Sequence, residues 1–251
     1  MSESTIPIPS QSLAIDPQRR AWGIMLLAFA VFCVMCLIVG LSISYFLFQS
    51  TLPLDAIIRM GRGTASVSDQ AVQNALTISN GSLISTDPLA QATMTITNPD
   101  ESSKVIAFIT VRRNTALSYV RGIRPRFVWG SIPFSIEIQR FSGEMDIFLP
   151  KDLTRELNLS ITTQTGDQIN LGAGGDYTIR ASGTRVQVVN RDGFIVMKPA
   201  NSTNYRAIPA NSQGTIIYNT NPDEILISNT YPNLLSNTDF EGSLVSTEIY
   251  T

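Results

Sequence analysis

The sequence predicts a mainly β protein, with one N-terminal transmembrane helix followed by an antiparallel β-sandwich or solenoid-like β-domain. Three observations predict it: an apolar block from Ala21 to Phe48 without a charged residue, short runs of alternating apolar and polar residues beyond Gln49, and explicit turn residues between those runs.

Composition narrows the function before any motif does. Of 251 residues only 15% are charged while 43% are hydrophobic, against about a quarter charged in ordinary soluble domains. Abundant Ser, Thr and Asn suit exposed β-structure better than a charge-laced helical bundle. The formal charge of −2 supplies no basic field of the kind that drives nucleic-acid affinity, so nucleic acid is not an expected partner. Histidine is absent, and both cysteines, Cys33 and Cys36, lie inside the apolar block. The rest of the chain therefore has no imidazole or thiol for a triad, a disulfide or a zinc site. No cofactor and no enzymatic activity are expected.

The apolar block is long enough to cross a bilayer, for which about 20 helical residues suffice. Residues 21–48 are read as a transmembrane helix whose partner is the lipid bilayer, with Trp22 and Tyr45 placed for the headgroup zones. A cleaved signal peptide competes with this reading, because Ser42 and Ser44 form a small-x-small pair. Its apolar region would be expected to run only about 7 to 15 residues. Arg19 and Arg20 abut the apolar start, whereas Arg59 and Arg62 lie further from its end. The two flanks carry two arginines each, and the adjacency of Arg19 and Arg20 favours a cytoplasmic N-terminus. The expected location is the cell membrane, single-pass, with the C-terminal domain extracytoplasmic. Cys33-Val34-Met35-Cys36 has CxxC spacing, but ionising a thiol in lipid is disfavoured, so the pair reads as two small packing residues. Residues 1–20, with Pro7, Pro9 and Pro17 among polar residues, read as a short flexible tail.

Beyond Gln49 the period is two. Ala92, Met94 and Ile96 alternate with threonines; Phe134, Ile136 and Ile138 alternate with Ser135, Glu137 and Gln139; Met145, Ile147 and Leu149 form a further run. Leu157, Leu159 and Ile161, then Tyr177 and Ile179, then Val186 and Val188, then Phe194 to Met197 and Thr215 to Tyr218 continue the pattern. About a dozen strands result. Asn80-Gly81, Asn98-Pro99-Asp100, Gly172 to Gly175, Ser182-Gly183, Asp192-Gly193 and Asn221-Pro222-Asp223 supply the turns. No strand alternates with a helical pattern, which disfavours parallel βαβ units. A break near Arg121 to Pro125 divides the chain into a membrane-proximal region, 49–120, and a β-domain core, 121–220, with an extension at 221–251. One continuous domain fits the size equally well.

Two stretches resemble the FecR family. Gly81 to Leu117, GSLISTDPLAQATMTITNPDESSKVIAFITVRRNTAL, is similar to that family's succession of threshold turn, small-residue strand, acidic turn and strand ending in Asn-Thr. In Thr163 to Gln213, Thr184-Arg185-Val186-Gln187-Val188 leads to Asp192-Gly193 and a short strand, and Pro209-Ala210-Asn211-Ser212-Gln213 resembles the terminal loop. The resemblance implies a membrane-anchored, exported β-domain, which in the signalling members relays a surface signal to a cytoplasmic sigma factor. Those members place a folded helical region before the membrane helix, where this chain has only Met1 to Arg20. Asn233 to Gly242, NLLSNTDFEG, resembles the opening strand of carbohydrate-binding jelly-roll modules, for which about ten remaining residues are too few.

The conspicuous charge cluster is Arg112, Arg113, Arg121, Arg124 and Arg126, fifteen residues without an acid. It is the candidate contact for anionic headgroups, an acidic glycan or an envelope protein, although alternation would scatter its members over both sheet faces. Glu137 with Glu144 or Asp146 across an expected hairpin forms the candidate carboxylate pair for glycoside chemistry, but the alternation that points apolar partners inward favours a solvated sheet face instead. Asp167 and Asp176 flank the Gly172 to Gly175 loop without the regular oxygen-ligand spacing that calcium needs. The expected function is non-enzymatic display of the β-domain for binding or envelope scaffolding. The alternatives are a transmembrane regulator and a carbohydrate-binding or carbohydrate-active surface protein.

Overall fold

The structure, a computed structural model, describes residues 17–101 and 104–229. Helix α1 spans Pro17–Gln49. Proline at its start sacrifices no hydrogen bond, because first-turn N–H groups have no intrahelical acceptor. The helix therefore begins before the apolar block, inside the segment expected to be a flexible tail. At about 1.5 Å per residue it is about 50 Å long, more than the roughly 30 Å hydrocarbon core. Its most apolar stretch is not buried against protein at all, and Ala21–Gln49 is long and apolar enough to cross a membrane. A helix that is apolar all round and meets protein only near its C-terminal end needs an apolar solvent along the rest. Ser42 and Ser50 donate their hydroxyls to the carbonyls of Ile38 and Phe46, at 2.7 and 2.5 Å, which satisfies them without water.

Every element after α1 among the described residues is a strand, eighteen in all. That is more than the dozen expected, and seven of the eighteen are strands of two to four residues, on which alternation has little room to register. One sheet runs β4 (Gln70–Ala71), β3 (Ala65–Val67), β6 (Ser82–Thr86), β9 (Ala116–Pro125), β10 (Phe134–Leu149), β11 (Leu157–Thr163), β12 (Gln168–Leu171), β15 (Ile195–Lys198) and β16 (Arg206–Ile208), with β1 (Thr51–Pro53) beside the end of β9. The other runs β5 (Ala75–Ile78), β2 (Asp55–Arg62), β7 (Gln91–Asn98), β8 (Lys104–Val111), β10 again, β13 (Gly175–Ala181), β14 (Arg185–Asp192), β17 (Ser212–Ile217) and β18 (Asn221–Asn229). The pairings join both sheets into one curled, barrel-like wall.

Strand β10 makes that join. Residues from Phe134 pair with β9 and β11 in the first sheet, while Gly143 to Leu149 pair with β8 and β13 in the second. Arg140 and Gly143, at φ of 52° and 107°, bend the strand between them. The two runs expected to face each other across a hairpin are thus one strand, and Glu137 and Glu144 are not opposed. From Leu149 the chain crosses back and enters β11 parallel to the start of β10, Phe134 opposite Leu157 and Ile138 opposite Ile161. This ladder is the exception to an otherwise antiparallel fold, and it follows from a full turn of winding around the core.

The predicted alternation places the core. Ala92, Met94 and Ile96 of β7 are fully buried and their threonine neighbours half-exposed. One contiguous apolar cluster extends from Leu54 to Ile225. Strand β9 runs without interruption through Arg121 to Pro125. Gly81 and Gly193 take positive φ at their expected turns. Asn221-Pro222-Asp223 is not a turn: the reversal falls at 218–220, and Asn221 already opens β18. The jelly-roll-like stretch Asn233 to Gly242 and residues 1–16 lie outside the described residues.

Three core-facing tyrosines are poised against alkali. Burial pushes the Tyr119 hydroxyl well above the usual tyrosine range; Tyr177 is raised by burial, and Tyr218 by burial together with its bond to Asp167. A folded-state value raised above the unfolded one means stability is fully present below about pH 10 and is lost as the pH rises beyond it. Tyr119 is fully buried, and its hydroxyl has no hydrogen-bond partner among the described residues. Tyr119→Phe is therefore expected to stabilise the fold by about 1 kcal/mol, raising the melting midpoint by about 2–4 °C. It should also move alkaline unfolding to higher pH. Thermal melts and a phenolate-absorbance titration of both proteins check this, and a lower midpoint for the variant contradicts it.

Candidate functional site

The end of α1 is stitched into the sheet. Strand β1 follows after one residue and pairs with the end of β9, Thr51 opposite Pro125 and Leu52 opposite Arg124. The loop leaving β9 then folds back on the helix. Arg126 N donates to Ser50 O at 3.0 Å, the Phe127 ring meets Phe46 edge-on at 5.8 Å, and the Arg126 guanidinium lies 5.2 Å from the centroid of Phe46. Phe127 and Trp129 stack at 5.1 Å, with an angle of 7° between planes. Arg155 donates to the carbonyls of Val128 and Gly130 and so holds the loop's shape. A cleft of about 470 Å³ adjoins it, with Asp100, Arg124, Phe127, Thr154 and Arg155 in its lining.

The arginine cluster is divided. Arg112 meets Asp146 at 2.5 Å and Glu144 at 3.6 Å, and Arg121 meets Glu137 at 2.9 Å. Arg124, only 7% exposed, pairs with Asp100, while its Nε has no partner among the described residues. Arg113 is exposed in the turn before β9. The ten residues of β9, about 30 Å at strand rise, separate Arg112 and Arg113 at one end from Arg124 and Arg126 at the other. The fifteen-residue stretch lacks acids, but the fold brings them from Asp100 and β10. Arg19 and Arg20, expected from the sequence to set the topology, lie in the first turn of α1.

The carboxylates considered for glycoside chemistry are the other halves of these pairs. Glu137 also accepts from Gln139 Nε2 at 2.7 Å, Glu144 from Arg180 at 3.1 Å, and Asp146 from Thr178 Oγ1 at 2.6 Å. They are spread along one strand over two sheets, as cross-strand neighbours on a ladder. Asp176 pairs with Arg191 at 2.7 Å. Asp167, fully buried, accepts from Thr163 Oγ1 at 2.9 Å, Thr165 Oγ1 at 2.7 Å, Ala200 N at 3.1 Å and the Tyr218 hydroxyl. That set fills a carboxylate's acceptor capacity and ties β11 to the ends of β15 and β17.

The residues that sequence reasoning missed are Phe127, Val128 and Trp129. Their signal is an apolar triplet with no period, between Arg126 and Gly130, in a connection bounded by Pro125 and Pro133. Val128 is 86% and Trp129 61% exposed.

No family model matches the chain, and no curated protein does. Two crystal structures of a "putative anti-sigma factor" from Parabacteroides distasonis align with it at a TM-score of 0.41, with 18% and 17% identity. Each alignment covers 59% of this chain and 59% of the other, so this chain spans under two thirds of their length. A likeness of that size does not bear on what the chain binds.

Proposed function

We propose that the chain is a single-pass membrane protein, N-terminus in the cytoplasm, that displays a non-catalytic β-domain on the far side of the bilayer to bind an envelope protein or glycan. The observation that supports this reading is an unburied apolar helix joined through β1 to a domain whose elements are all strands among the described residues. The pairing of Glu137, Glu144 and Asp146 with arginines fits a binding or scaffolding surface better than an acid-base pair. Arg113, exposed in its turn, is a cluster member available to an acidic partner.

A second reading, a transmembrane regulator, is favoured by the FecR-like stretches. One experiment separates the two: in-cell crosslinking and transcript profiling of the full chain beside a variant lacking Ser2 to Asp16, which keeps α1 whole. Display predicts the same envelope partner from both proteins and an unchanged transcript profile. Loss of the partner with the tail, or a changed transcript set, favours the regulator.

A further inference from the structure

We infer that the loop Arg126 to Gly130 is a second membrane contact, an apolar wedge seated in the lipid interface beside the outer end of α1, which fixes how the β-domain stands on the bilayer. The inference rests on the reading of α1 as a membrane span.

Depth is the first argument. Phe46 lies within the apolar span, about 5 Å along the axis from Gln49. Phe127 packs against its ring, and the Gly130 position approaches the Phe48 carbonyl. Whatever depth the end of α1 has, the loop shares it. Composition is the second. Trp129 is a side-chain type enriched at the boundary between hydrocarbon and headgroups, Phe127 stacks on it and Val128 beside them is apolar, with Val128 and Trp129 largely exposed. Such a contiguous apolar tip is costly in water and favourable at that boundary.

The backbone supplies the third. A loop entering a region poor in water has to satisfy its own carbonyls. Here Gly130 N donates to Phe127 O at 3.0 Å, and Arg155 caps the carbonyls of Val128 and Gly130. The cation of Arg126, laid over Phe46, sits where a long basic side chain reaches lipid phosphates from the edge of the hydrocarbon. A protein partner would cover the same side chains, but the packing of Phe127 on Phe46, inside the span, favours lipid.

The chain has two tryptophans, Trp22 at the other end of α1 and Trp129, so each reports alone. In full chain reconstituted into phosphatidylcholine vesicles, W22F leaves Trp129 as the probe and W129F leaves Trp22. Trp129 is expected to emit at blue-shifted wavelength and to lose about half its emission when the lipid is brominated near the glycerol end of its chains, while resisting aqueous iodide. Trp129 quenched by iodide and untouched by brominated lipid, with Trp22 quenched by the lipid, overturns the wedge and leaves the span intact; that surface would then be free for a protein. Both tryptophans untouched by the lipid would overturn span and wedge together.

Discussion

Gly143→Val is expected to lower the melting midpoint of the β-domain by about 6–12 °C, the equivalent of about 3 kcal/mol in a domain of this size. The residue has a φ of 107°, which L side chains rarely adopt. A Cβ there would lie 2.5 Å from Thr115 Oγ1, 2.6 Å from Thr115 Cα and 2.7 Å from the Asn114 carbonyl. Two of those three atoms are backbone, so rotamer adjustment cannot relieve the contact. The consequence is larger than one local clash, because Gly143 is where β10 passes from one sheet to the other. Displacing it strains the ladders to β8, β9 and β13 at once. Gly183→Ala is the control: its turn leaves nothing within 4 Å of a new Cβ, and its midpoint should match the wild type. Melts of the full chain in lipid nanodiscs, followed by the β signal in circular dichroism, decide the matter. A Gly143→Val midpoint equal to that of Gly183→Ala would show that the crossing is not a constraint.

The second large effect concerns α1. Arginines at Val34, Leu37 and Leu41 together should move the protein out of the carbonate-resistant membrane fraction, since each costs about 3 kcal/mol at the centre of a span and three cost about 9. The β-domain should nonetheless melt within about 2 °C of the wild type, because this stretch of α1 touches no strand. A helix packed inside a soluble fold would behave the opposite way, staying in its fraction while the domain unfolded. Measuring fractionation and melting on the same variant therefore separates a lipid-facing helix from a protein-facing one.

How much of this was legible in the sequence depended on whether the cause was local. The helix was legible because twenty-eight residues from Ala21 to Phe48 carry no charge. Strands such as β7 and β11 were legible because the pleat puts every second side chain inside, and Met94, Ile96, Leu159 and Ile161 alternate accordingly. The unity of β10 was hidden because Arg140 and Gly143 interrupt its period and read as a turn; continuity is conferred by neighbours distant in sequence. The same distance hid the parallel β10 to β11 ladder and the acids that meet Arg112, Arg121 and Arg124. Phe127 to Trp129 escaped notice because three apolar residues in a row show neither period, and their exposure acquires meaning only from the helix end they pack against. Asn221-Pro222-Asp223 misled in the other direction: strong turn residues occupy the first three positions of an edge strand, where proline is tolerated.

In the proposed topology the bilayer lies between the first residues of the chain and its β-domain. The most direct test replaces Cys33 and Cys36 by alanine, introduces one cysteine at either Ser2 or Gly183, and treats spheroplasts of an expressing host with a membrane-impermeant maleimide. With that topology G183C is labelled at once and S2C only after lysis. Labelling of S2C in intact spheroplasts, or protection of G183C until they are broken, would contradict it.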